Sequence, residues 1–203
     1  MTEEHNGICI FRDVDATTLL IFERDGTLLP SDRRGSIFLS DINAEIVEVA
    51  RQIRKLGIPF GFISGKKTME RSTPSKSQAA ALIKILDQIL SSGDASPDFW
   101  MAWPTSPYGS TVGRRDDGLQ MLSRAMIMEV MRWYAVEKTS CVFVSSSPES
   151  LIDAAKLGVR TVRYIPPMAA KFPFVERSQP NEKSSHNRRA EELFEKIANL
   201  ASL

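Results

Sequence analysis

Short apolar runs alternate with longer stretches whose apolar residues recur at helical spacing, and this alternation constrains the fold more than any other feature of the chain. The runs are Thr17–Phe22, Ile58–Ile63, Asp98–Trp103, Ser140–Val144 and Val159–Ile165, with a shorter accessory strand at Ile8–Phe11. A helix capped by Ser40 or Asp41 and reaching about Lys55 places Ile42, Ile46, Val49 and Ile53 on one stripe, and Gly57 ends it. Ser75–Ser91 does the same with Ala79, Leu82, Ile83, Leu86, Ile89 and Leu90. Leu119 to about Val136 turns Leu122, Ala125, Met126, Val130 and Trp133 inward, and Pro148–Leu157 forms a helix that stops at Gly158. Strands alternating with helices predict an α/β fold, a doubly wound, mostly parallel sheet flanked by helices with right-handed crossovers.

The chain has 203 residues, 42% hydrophobic and 25% charged, enough for one well-packed domain of roughly 150 to 200 residues and an appendage. Residues 1–165 form the predicted α/β domain, with no large cap inserted. Residues 166–184, rich in Pro, Ser and Lys, read as a connecting segment, and 185–203 as a C-terminal amphipathic helix. That helix aligns Ala190, Leu193, Phe194, Ile197 and Leu200. Such a stripe packs on its own domain or, alternatively, docks a protein partner or a second copy through residues 185–200.

A formal net charge of +1 is too near neutral for a general nucleic-acid or membrane binder. Cys9 and Cys141 both lie in apolar runs and read as small buried hydrophobes, so neither a disulfide framework nor a structural zinc is expected. The first residues, Met1–Asn6, lack an apolar signal core, and no segment approaches about 18 uninterrupted apolar residues. A soluble, cytoplasmic protein is expected.

The chemistry concentrates where the Thr17–Phe22 strand runs into Glu23-Arg24-Asp25-Gly26-Thr27. Residues i and i+2 of a strand leave on the same side, and Gly26 lets the backbone turn sharply. Open α/β sheets place their ligands at such carboxyl-edge loops. The stretch resembles the first motif of the haloacid-dehalogenase (HAD) superfamily, Asp-x-Asp-Gly-Thr after a hydrophobic strand. It looks most like the histidinol-phosphate and heptose-bisphosphate phosphatase branch, which reads Phe-x-Arg-Asp-Gly-Thr. The resemblance implies a Rossmann-like, HAD-type sheet, a nucleophile and magnesium ligand at position 23, and a general acid/base at Asp25. Glu23 departs from the family's Asp. One extra methylene moves the attacking oxygen by roughly 1 Å, a misplacement that costs on the order of a hundredfold in rate.

The other motif positions are matched unevenly. Ser64, ending the second strand, fits the family's phosphate-binding hydroxyl, followed here by Gly65 and Lys66 in place of Asn-Gln. Arg115 stands where the family has a Lys that neutralises phosphate and nucleophile, and its planar fork is bulkier than an ammonium. Arg115 could equally pair with Asp116 and Asp117 at a helix start. The family's Gly-Asp-x-x-x-Asp metal loop reads Ser145-Ser146-Ser147-Pro148-Glu149-Ser150. Both acids are thus serine, at Ser146 and Ser150, and magnesium prefers charged oxygen ligands. Glu149 and Asp153 are the nearby substitutes, with Asp153 placed on the helix surface. No Cys or His lies between Ser64 and Cys141 to form the zinc loop common in this branch. Trp100 and the Trp103–Gly109 loop read first as core packing, second as the mouth of a cleft.

The leading functional reading is a catalytically impaired phosphatase homologue that binds a phosphorylated small molecule, an anion or a protein partner. Its contacts are the Gly26 and Thr27 amides, Ser64, Lys66, Arg115 and the Ser145–Ser147 loop including Ser146, with a weak or absent magnesium site at Glu23 and Asp25. One alternative is an active HAD-type phosphatase hydrolysing a small phosphate monoester. The other is a scaffold acting through its C-terminal helix.

Overall fold

The structure, a computed structural model, describes residues 8–31, 38–65, 76–103, 115–167 and 180–201. Among the described residues six strands and five α-helices follow one another as β1 (Ile8–Phe11), β2 (Leu19–Glu23), α1 (Ala44–Lys55), β3 (Phe60–Gly65), α2 (Lys76–Ser92), β4 (Phe99–Trp103), α3 (Arg115–Trp133), β5 (Cys141–Ser145), α4 (Pro148–Lys156), β6 (Arg160–Arg163) and α5 (Pro180–Ala201). The sheet order is β1-β4-β3-β2-β5-β6. All neighbours run parallel except β1, which pairs antiparallel with β4 at the edge. The chain leaves β2 toward β3 and β4 on one side and later fills β5 and β6 on the other. The switch point therefore falls between β2 and β5, where doubly wound sheets open a ligand crevice.

β2 is buried along its whole length because helices cover both faces of the sheet. Leu20 and Phe22 face one layer with Ile46, Val49 and Ile53 of α1, Leu86 of α2, and Leu193 and Ile197 of α5. Leu19 and Ile21 face the other, with Met126 and Val130 of α3 and Ala154 of α4. The strand must alternate faces, so an uninterrupted apolar run serves two cores at once. Close packing reaches the backbone at Gly61, where an added Cβ would stand 2.2 Å from the Phe99 carbonyl oxygen. Helix ends follow the glycines. Gly57 and Gly158 sit at φ +69° and +84° just past α1 and α4, the left-handed stop that glycine adopts without a Cβ clash.

Several expectations are corrected. The N-cap of α1 is Asn43, whose side chain accepts from the Glu45 amide, while Leu39–Asp41 forms a separate 3₁₀ turn. α5 begins at Pro180, so the last five residues of the expected 166–184 connection are helical. Its stripe residues Ala190, Leu193 and Ile197 are buried in the core shared with α1, each large side chain contributing roughly 1.5–3 kcal/mol. Trp133 is 57% exposed, its ring stacked on Phe11 with centroids 4.6 Å apart, rather than pointing inward. Cys9 is exposed, because β1 is an edge strand, whereas Cys141 is buried in central β5. Trp100 is a core residue, stacked on Phe62 and donating its indole N–H to Asp87 at 2.8 Å. No described helix is long and apolar enough to cross a membrane.

Candidate functional site

The carboxyl ends of β2, β3 and β5 converge on one loop. Phe22 lies in register with both Phe62 and Val144, so Glu23 emerges between the ends of its two neighbours. Glu23 is only 6% exposed. Its Oε2 accepts from the Ser145 hydroxyl at the end of β5. Its Oε1 accepts from the Ser150 hydroxyl, in the first turn of α4, at 3.1 Å. Ser147 caps α4 by accepting from the Ser150 amide, and Pro148 starts the helix with the φ it already prefers. This local geometry turns Ser150 back toward β2.

Asp25 leans the other way, toward β3. The Arg24 fork donates Nε to Oδ1 at 3.0 Å and Nη2 to both oxygens at 2.9 and 3.1 Å. The Ser64 hydroxyl donates to Oδ2 at 2.5 Å. The two carboxylates expected on one side of the strand are thus held by opposite neighbours, because regular strand geometry stops at Glu23. Ser64, expected to contact phosphate, donates its hydroxyl hydrogen to Asp25.

Gly26 makes the turn. It sits at φ +88°, and its amide donates to the Leu29 carbonyl at 2.6 Å while the Leu29 amide donates to Arg24 at 3.0 Å. The Gly26 amide, expected to contact an anion, is therefore engaged within the turn. Among the described residues the amides of Asp25 and Thr27 make no hydrogen bond. A Cβ on Gly26 would stand 2.1 Å from Ser146 Oγ, which places the Ser146 hydroxyl against the turn and not on Glu23. The Thr27 hydroxyl donates to the Glu23 carbonyl oxygen. Lys66 lies outside the described residues, and Arg115 is the first residue of α3 with its side chain outside them.

Behind the turn, Asn43 donates its amide to the Thr27 carbonyl at 2.9 Å and to the Tyr164 oxygen at 2.6 Å. Tyr164 donates in turn to Glu45 at 3.0 Å. Burial pushes the Tyr164 hydroxyl up to about 12, with the Asn43 hydrogen bond opposing and the nearby Glu45 charge adding to the rise. Asp153 corrects another expectation. It is 2% exposed, sharing the inward face of α4 with Ser150 and Ala154, and it lies 3.7 Å from Lys156 Nζ. Among the described residues no group of three His, Cys, Asp or Glu side chains converges to hold a metal ion.

Sequence reasoning missed Arg24, Asn43 and Tyr164, and it named Ser145 as part of the anion-contacting Ser145–Ser147 loop, not as a donor to Glu23. Arg24 lay inside the quoted motif, and Ser145 stood one position past the expected Ser140–Val144 strand. Asn43 and Tyr164 are separated by 121 positions and meet only through the fold.

Solved structures share this fold. The chain resembles the D,D-heptose 1,7-bisphosphate phosphatase of B. bronchiseptica, solved with magnesium and phosphate, at TM-score 0.55 and 15% identity, over 71% of this chain and 78% of that one. It resembles a protein from Mesorhizobium loti described as a HAD-like phosphatase at TM-score 0.56 and 14% identity, over 92% and 94%. A third likeness, at 0.53 and 15%, is to an uncharacterised protein from Listeria monocytogenes serotype 4b, over 92% and 99%. By sequence, the chain matches no protein-family model and no curated protein. The fold is that of HAD-like phosphatases, and the function rests on the site.

Proposed function

We propose that this chain is a HAD-like protein that binds a phosphorylated small molecule or related anion and lacks competent magnesium-dependent phosphatase chemistry. The observation that carries the reading is the double serine anchorage of Glu23. A carboxylate attacking phosphorus must present an oxygen in line with the leaving group, and a misplacement of about 1 Å costs on the order of a hundredfold in rate. Here each oxygen already accepts a hydroxyl hydrogen, and the side chain is buried.

The described residues do not fit magnesium. Ser146 and Ser150 are neutral where the metal loop of the superfamily this sequence resembles has carboxylates, and a neutral hydroxyl competes poorly with water for so strongly hydrated an ion. Without metal and in-line positioning, phosphoryl transfer loses its main sources of acceleration. The expected grip consists of the Asp25 and Thr27 amides, the Ser146 hydroxyl and the cations Lys66 and Arg115. Uncommitted amides at a tight turn form an anion-binding concavity of general use. The scaffold reading finds less support, since the α5 stripe is buried against α1.

Calorimetric titration with inorganic phosphate, without magnesium, tests the binding half. One-to-one binding weakened by Lys66→Ala and by Arg115→Ala supports it. Absence of saturable binding by the unmodified chain contradicts it.

A further inference from the structure

The α5 helix reaches the candidate site through an unbroken polar path. Arg189 Nε lies 2.9 Å from Glu45 Oε1, an ion pair without hydrogen-bond geometry, and Arg189 Nη2 donates to the Ile165 carbonyl at 2.8 Å. Glu45 is 2% exposed, and among the described residues Arg189 is the one cation paired with it. A carboxylate removed from water to that extent depends strongly on its countercharge. Glu45 Oε2 accepts from Tyr164, whose oxygen accepts from Asn43, whose amide also donates to the Thr27 carbonyl.

Asn43 is fully committed. Both hydrogens of its side-chain amide are used, its Oδ1 accepts from the Glu45 amide at 3.0 Å, and its own backbone N–H donates to the Leu28 carbonyl at 3.0 Å. Flipping the amide would set its NH2 against the Glu45 amide N–H and its oxygen against the Thr27 carbonyl, so the network admits one arrangement. The path ends on Thr27, whose hydroxyl holds the Glu23 carbonyl. It is continuous in hydrogen bonds and ion pairs, not merely close in space.

We propose that Arg189 is a positioning residue for the anion-binding turn, acting through Glu45, Tyr164 and Asn43 on Thr27, so that docking of α5 sets the competence of the site. This role rests on the binding function proposed above. Arg189 touches no ligand. It neutralises Glu45, which fixes the acceptor for the Tyr164 hydroxyl, which in turn leaves Asn43 one orientation in which to hold residues 27 and 28.

The test uses the full chain with Arg189→Ala, Arg189→Lys and Tyr164→Phe. Two quantities are read: amide hydrogen exchange at Leu29, with the β5 amides as reference, and affinity for inorganic phosphate. The proposal expects Arg189→Ala and Tyr164→Phe each to speed Leu29 exchange and weaken phosphate by about three- to tenfold. Their combination should do no more than either alone, and Arg189→Lys should recover part of the loss. A lowered melting temperature with Leu29 exchange unchanged relative to β5 would overturn it, leaving Arg189 a purely structural residue. If the unmodified chain binds no phosphate, the binding function falls, while the exchange data still decide the relay. Should Arg189→Ala fail to fold, Tyr164→Phe, which deletes one hydroxyl, decides alone.

Discussion

The Ser150 hydroxyl lies 3.1 Å from Glu23 Oε1 and donates to it, tying the first turn of α4 to the last residue of β2, 127 positions earlier. With Ser145 on the other oxygen, the carboxylate at the centre of the site becomes part of the scaffold. A group held in this way ties two elements of the fold together and, under the proposed function, is poorly placed to react.

Ser145→Ala should therefore destabilise the protein. It removes a donor from a buried carboxylate and an acceptor from the Ser147 amide, which lies 2.9 Å from the Ser145 hydroxyl. A loss of about 1–3 kcal/mol is expected. Urea unfolding should show a lower midpoint at an unchanged slope.

Gly61→Ala should cost more than its size suggests. The new methyl would meet the Phe99 carbonyl oxygen at 2.2 Å and the Phe99 ring at 2.5 Å, between two parallel strands that cannot part cheaply. Overpacking of this kind costs about 1–3 kcal/mol, and contact with backbone places it at the upper end. Thermal unfolding against the unmodified chain measures it.

Alkaline pH should unfold the chain. Burial pushes Cys141 from 9.0 to about 12, and Tyr134 and Tyr164 from 10.0 to about 12. Between those values the folded state keeps protons that the unfolded state has released, so stability falls as pH rises. It is fully present below pH 9 and lost progressively toward pH 12. Chemical denaturation across that window should show the decline, and Tyr164→Phe should flatten its slope above pH 10.

The strand and helix order was legible because periodicity reports which residues share a face, and Gly57 and Gly158 mark helix ends by a conformation few other residues adopt. Depth was not legible. Trp133 has the spacing of an inward residue, yet it lies at the end of α3 and stacks on the edge-strand residue Phe11. Cys9 sits in an apolar run that proves to be the sheet edge. Asp153 looks like a surface acid by type, but its spacing from Ser150 turns it inward. At the site, the sequence located Glu23, Asp25, Ser64 and Ser150. It did not reveal that the serines bind the carboxylates, since those pairs are set by sheet order and not by any local pattern.

Restoring carboxylates should restore metal. Glu23→Asp combined with Ser146→Asp and Ser150→Asp withdraws the long carboxylate and supplies the charged oxygens magnesium prefers. Calorimetry is expected to detect magnesium binding in the triple variant and none in the unmodified chain. If neither binds, the departure from a metal site extends beyond these three positions.

The most direct measurement is turnover of p-nitrophenyl phosphate at saturating magnesium by the unmodified chain, beside Glu23→Ala prepared identically. The anchored carboxylate predicts no turnover above the Glu23→Ala control. Turnover that vanishes in Glu23→Ala would make Glu23 a working nucleophile and contradict the account.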